Sequence, residues 1–145
     1  MIYHSKSIED THYLAKKLAE KIMVGSVVSL IGNLGSGKTT FVQGFAKAIR
    51  ISERIGSPTF KLVSEYEGKQ YRLYHIDAYR LEGVNDFLMI GGEEYLRPDK
   101  GITFIEWADI ISEILDENII SLKFSREKEN SNSRKIKITG INIDV

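Results

Sequence analysis

Eight consecutive residues, Gly32-Asn33-Leu34-Gly35-Ser36-Gly37-Lys38-Thr39, fit the pattern Gly, four residues, Gly, Lys, Ser/Thr. That spacing suits a phosphate group. Glycines let the backbone curl until successive N–H groups point inward and cradle an anion. A helix opening near Thr39 would aim the positive end of its dipole at the same point. Leu34, Gly35, Ser36, Gly37, Lys38, Thr39 and Thr40 are therefore the candidate phosphate-binding residues. Lys38 is expected to reach the β- and γ-phosphates of a nucleoside triphosphate, and the Thr39 hydroxyl to hold Mg²⁺.

Two carboxylates stand directly after apolar runs, Asp77 after Leu73-Tyr74-His75-Ile76 and Glu106 after Ile102-Thr103-Phe104-Ile105. Ligands of open α/β sheets sit beyond the carboxyl ends of the strands. If both strands flank the loop strand, one acid could hold Mg²⁺ and the other orient an attacking water. Either acid could instead cap a helix or pair with a lysine. Phosphoryl transfer needs mainly positioning and charge neutralisation, so these few groups would suffice. Ser57-Pro58-Thr59 is a candidate switch segment whose hydroxyls, Thr59 included, could sense a γ-phosphate; an ordinary proline turn is the competing reading. His75 and Trp107 read as structural, and Arg80 as either a phosphate partner or a surface ion pair. A guanine-nucleotide switch protein is disfavoured, because no Asn-Lys-x-Asp stretch occurs. Val84 to Lys100, with Arg97 as its only basic finger, makes a poor kinase lid.

These groups need elements to carry them. Ser7 with Asp10 suggests a capping box, and Ile8, Ala15, Leu18 and Ile22 predict a helix over Ile8–Met23, ended by Gly25. Val27 to Ile31 is continuously apolar, as in a strand buried on both faces of a parallel sheet. Phe41, Phe45, Ala48 and Ile49 give the inner face of a second helix. Phe60–Tyr66 and Gln70–Ile76 predict a hairpin across Glu67-Gly68-Lys69. A short helix over Val84–Ile90, a strand over Ile102–Ile105 and a helix over Asp109–Leu115 follow. Two strands near Ile119–Ser125 and Arg134–Thr139 close the chain, with a polar loop over Glu127–Ser133. The expected fold is α/β and P-loop NTPase-like, a central mixed β-sheet flanked by helices in one domain over residues 1–145.

Composition narrows the partners. Twenty basic and twenty acidic side chains cancel, whereas a protein that grips nucleic acid alone carries a basic excess. A direct hold on tRNA or DNA is not expected. No cysteine is present, hence neither disulfides nor thiolate metal sites. Met1 to Lys6 lack a leader-like apolar stretch and no run nears about 18 apolar residues, so no membrane is expected and the location expected is cytoplasmic.

The loop together with Ser57-Pro58-Thr59-Phe60, Tyr74-His75-Ile76-Asp77-Ala78-Tyr79-Arg80-Leu81 and Glu106-Trp107 resembles the bacterial TsaE (YjeE) family in order and spacing, over roughly residues 7–110. The resemblance implies a small ATPase needed to make threonylcarbamoyl-adenosine in tRNA, acting with a TsaB–TsaD complex that carries out the transfer and meeting tRNA only indirectly. It implies that residues 34–39 wrap the ATP phosphates, that Thr39 and Glu106 bind Mg²⁺, and that Asp77 is the essential acid in a metal or water-positioning role. Ser57 to Phe60 would be the switch, and Ser7 and Arg134 would touch the adenosine. Asn33, Ser36 and Ala78 depart from the family's usual Asp, Ala and larger apolar residue. Hydrolysis is expected to be slow without the partner, because the sequence fixes no arginine finger. A small-metabolite kinase and a non-catalytic, ATP-dependent assembly module remain the alternatives.

Overall fold

The computed structural model describes residues 1–56, 62–127 and 132–145. Seven strands form one sheet: β1 (Ile2–Ser5), β2 (Val27–Ile31), β3 (Val63–Glu67), β4 (Arg72–Asp77), β5 (Gly101–Glu106), β6 (Ile120–Arg126) and β7 (Arg134–Thr139). Their order is β1-β7-β6-β2-β5-β4-β3. β6, β2, β5 and β4 run parallel, and β3, β7 and β1 join as antiparallel neighbours. The sheet is mixed, as the sequence predicts. β2 sits centrally, between β5 and β6.

Helices cover both faces, which explains the unbroken apolar runs of the inner strands. Helices α1 (Ile8–Lys21) and α2 (Lys38–Ala48) pack on one face. There Leu14, Leu18, Phe41 and Phe45 meet Val28, Leu30, Leu73, Ile102 and Phe104. The opposite face buries Val27, Ile76 and Ile105 against Phe87 of α3 (Val84–Met89) and Ala108 and Ile111. Alternate residues of one strand thus serve two cores. Gly44 of α2 lets the helices approach: a Cβ there would lie 2.7 Å from the His12 ring and 2.8 Å from its Cα.

Three elements depart from expectation. No element is predicted over Met1 to Lys6, yet Ile2–Ser5 is an edge strand on β7. Four residues carry too little periodicity to announce a strand whose partner lies more than a hundred residues away. The helix expected over Asp109–Leu115 is a 3₁₀ helix, Ala108–Ile114, broken at Ile111. Ala108 and Ile111 are buried, and Ile110, Ile114 and Leu115 pack partly buried against the same core. A further 3₁₀ helix, Gly92–Leu96, lies where no element was predicted. The hairpin is present as β3–β4, closed by Gly68 N–H donating to the Tyr71 carbonyl.

Candidate functional site

The loop between β2 and α2 turns through left-handed glycines, Gly35 at φ 75° and Gly37 at φ 108°. Gly32 has no room for a side chain either, since a Cβ would fall 2.6 Å from the Ser36 hydroxyl and 2.7 Å from the Phe124 carbonyl. Gly37 caps α2 without a side-chain hydrogen bond, and no acidic residue lies in the first turn. The opening amides of an eleven-residue helix therefore keep their donors and dipole for an anion. Lys38 is 5% exposed. Its Nζ donates to the Gly32 carbonyl and stands 3.9 Å from the centre of the Trp107 ring. Burial pushes the Lys38 pKa down, against the pull of Glu106, Asp77 and Asp109.

Both acids reach this place by different routes. β5 adjoins β2, so Glu106 ends the neighbouring strand. Asp77 ends β4, one strand farther out, and lies in register with Glu106 across the β4–β5 ladder. The expectation that both strands flank β2 holds for β5 only; β6 takes the other side. The ladder continues past the strand ends, with Trp107 N–H on the Leu30 carbonyl and Ala78 N–H on the Glu106 carbonyl, each 3.0 Å. Trp107 then turns the chain in a left-handed conformation, φ 58°. That places its ring over Lys38 and 4.9 Å from the ring of Tyr79.

Each acid is held. Glu106 Oε2 lies 2.6 Å from His75 Nε2, with both side chains buried. Asp77 Oδ1 accepts from Tyr79 N–H at 2.9 Å. Burial raises the Asp77 pKa and Glu106 adds to the rise, while the Tyr79 N–H, His75 and Lys38 draw it back. Residues Leu34 to Thr40, Asp77, Tyr79, Glu106, Trp107 and Arg134 line one cavity of about 420 Å³. A second cavity of about 430 Å³ shares Gly37, Thr40 and Arg134 with it and adds Lys6, Ser7 and Asn132. Ser7 also accepts from Asp10 N–H as the cap of α1. The switch segment, Thr59 included, lies outside the described residues.

Sequence reasoning missed three features here. His75 reads as structural, and it is fully buried; its bond to Glu106 is what that reading misses, although its place two residues before Asp77 is visible. Trp107 reads as core, and it does pack partly buried against the core of Ile76 and Ile105; its position over the lysine of the loop is what that reading misses. Arg126, on β6, donates to the Gly35 carbonyl at 3.1 Å; only strand pairing brings it there.

This geometry agrees with a family model described as "Threonylcarbamoyl adenosine biosynthesis protein TsaE", which matches residues 5–136. The chain belongs to the TsaE family. Among its TsaE relatives are the tRNA threonylcarbamoyladenosine biosynthesis proteins of Bacillus subtilis, Treponema pallidum and Aquifex aeolicus. The first is 36% identical over 133 residues, 92% of this chain and 81% of that protein. The second is 39% identical over 118 residues, 81% and 86%, and the third 39% over 132 residues, 84% and 93%. A crystal structure of YdiB from B. subtilis matches with a TM-score of 0.79 at 30% identity, over 95% of this chain and 83% of that one. TsaE membership and the sheet order agree on a P-loop NTPase-like α/β fold.

Proposed function

We propose that this TsaE family member binds ATP with Mg²⁺ and hydrolyses it, slowly alone, to reset a TsaB–TsaD-like complex in tRNA threonylcarbamoyladenosine biosynthesis. One observation carries the reading: an uncapped helix start, Lys38 and two carboxylates from separate strands line a single cavity. Loop amides and Lys38 would bind the β- and γ-phosphates, and the second cavity, with Ser7 at its wall, would take the adenosine.

The donor set fits magnesium, which prefers hard oxygen ligands. The Thr39 hydroxyl, the Asp77 carboxylate and the Glu106 oxygen not engaged by His75 would hold it. When bound, the ion neutralises charge on the transferring phosphate. Asp77 and Glu106 share a water-facing cavity, so either can orient the attacking water and accept its proton. The Thr59 segment would change shape on hydrolysis. Leu34 and Tyr79 are 89% and 59% exposed beside the same cavity, which supports a protein partner covering its mouth. The location proposed is the cytoplasm. Among the described residues, no helix is long and apolar enough to cross a membrane.

The test is calorimetry with ATP and Mg²⁺, followed by phosphate release with and without the TsaB–TsaD complex. Magnesium-dependent ATP uptake, slow release alone and faster release with the complex are expected. Absence of nucleotide uptake would overturn the reading, as would a phosphorylated metabolite in place of free phosphate.

A further inference from the structure

Two irregularities meet at the opposite end of α2 from the phosphate loop. Among the described residues, only Trp107 and Arg50 take a left-handed backbone without being glycine. Trp107 lies over Lys38, where α2 begins; Arg50, at φ 60°, stands just past its end. Eleven helical residues set the two places about 16 Å apart. Arg50 N–H donates to the Lys47 carbonyl and Ile51 N–H to the Ala46 carbonyl, a helix ending that glycine makes without strain. Arginine there strains the backbone and puts a guanidinium on a cavity wall. The second irregularity is Tyr71. Its hydroxyl is shut off from solvent and has no hydrogen-bond partner among the described residues. Burial pushes its pKa up, so the phenol keeps its proton and stays a donor. A buried donor left unmatched costs the fold.

Both residues line one cavity of about 370 Å³, between α1, the end of α2 and the β3–β4 turn. It shares no residue with the two cavities at the phosphate loop. The turn is pinned in place, with Lys69 N–H on the Ile49 carbonyl at 3.0 Å. Lys16 of α1 and Lys69 of the turn add two ammonium groups to the wall. Among the described residues no ion pair engages Lys16, Arg50 or Lys69. Glu20, the one carboxylate on the wall, is engaged by Lys17 at 3.4 Å. Acids and bases balance over the whole chain, so three cations around one hollow are a local concentration. Donors from separate elements that converge in this way match the oxygens of a phosphate group. A hollow of this size, in a chain without net charge, suits a small molecule rather than a nucleic-acid strand. We propose that Lys16, Arg50, Lys69 and the Tyr71 hydroxyl bind the phosphate group of a small molecule, at a site separate from the nucleotide cavity.

The test titrates the ¹⁵N-labelled full chain with inorganic pyrophosphate and with ribose 5-phosphate, and follows each backbone amide by NMR. Saturable shifts are expected at Arg50, Lys69, Gln70 and Tyr71, resolved by position from any at residues 34–39. The tighter probe tells a free polyphosphate from a phosphate ester, and either one supports the site. Arg50→Gly is expected to melt no lower than wild type, because glycine takes the left-handed turn freely. It should nevertheless bind about tenfold more weakly, the usual scale for a hydrogen bond to a charged group. Tyr71→Phe, which deletes only the hydroxyl, is expected to keep its melting point and to bind several-fold more weakly. Shifts that grow without saturating and match those in sodium chloride would overturn the proposal, as would unchanged affinity in both variants. So would a short RNA strand that moves these amides where neither probe does.

Discussion

The two acids of the site differ in what holds them, and their substitutions should separate function from stability. Asp77 is desolvated and its pKa raised. The folded carboxyl keeps its proton to higher pH than the unfolded one. Its favourable contribution to stability is therefore complete below the ordinary carboxylate pKa and is lost as pH rises through the folded value. Asp77→Asn retains the acceptor for the Tyr79 N–H. It is expected to melt with wild type near about pH 3 and about 2 °C or more above it at pH 7, while phosphate release falls about 100-fold or more. Scanning calorimetry at the two pH values and a phosphate assay check this; a lower melting point at pH 7 would contradict it. Glu106 depends on a neighbour instead. Its buried hydrogen bond to His75 fixes one oxygen and so orients the other. His75→Leu removes that partner, and the Mg²⁺ concentration needed for half-maximal hydrolysis should rise about 10–100-fold, the usual effect of losing an outer partner of a metal ligand. His75→Gln, which can still donate to Glu106, should recover much of it. Equal loss in both variants would point to packing alone.

Among the elements, the contact of α1 with α2 decides where the phosphate loop ends up, because α2 begins at Lys38. Gly44 lies in that contact, directly against His12 of α1. In an isolated helix, Gly44→Ala would gain up to about 1 kcal/mol. Here the added methyl would meet His12 at 2.7–2.8 Å, backbone included, so the helices must separate. Overpacking of this kind costs about 1–3 kcal/mol. The expected outcome is a net loss of stability, read as a melting point lowered by several degrees in thermal unfolding. A melting point above wild type would show that the contact yields easily.

Across the whole molecule, one sheet links the parts of the site. β2 supplies the loop, β5 and β4 the acids, and β6 with β7 Arg126 and Arg134, which donate to the Gly35 carbonyl. A ligand that touches all of them should stabilise the chain as a unit. At one hundred times its dissociation constant, ATP with Mg²⁺ adds about 2.7 kcal/mol. For a chain of this size that corresponds to a melting-point rise of about 5–10 °C. ATP in the presence of a chelator should give clearly less. The check is differential scanning fluorimetry at stepped ATP concentrations; no shift at saturating ATP would mean that the loop binds nothing.

What the sequence determined by itself was local. Glycine spacing, one lysine and one threonine define an anion cradle, because backbone freedom and helix dipoles act over a few residues. Apolar runs ending in Asp77 and Glu106 marked both acids, and the family motifs tied them to the loop. The tertiary structure decided everything that depends on strand order. It set β5 beside β2 and β4 one strand farther out, paired Ile2–Ser5 with β7, joined His75 to Glu106, and drew Arg126 and Arg134 onto Gly35. Pairing between distant strands is chosen by the burial of two whole faces at once, and no window of neighbouring residues contains that information.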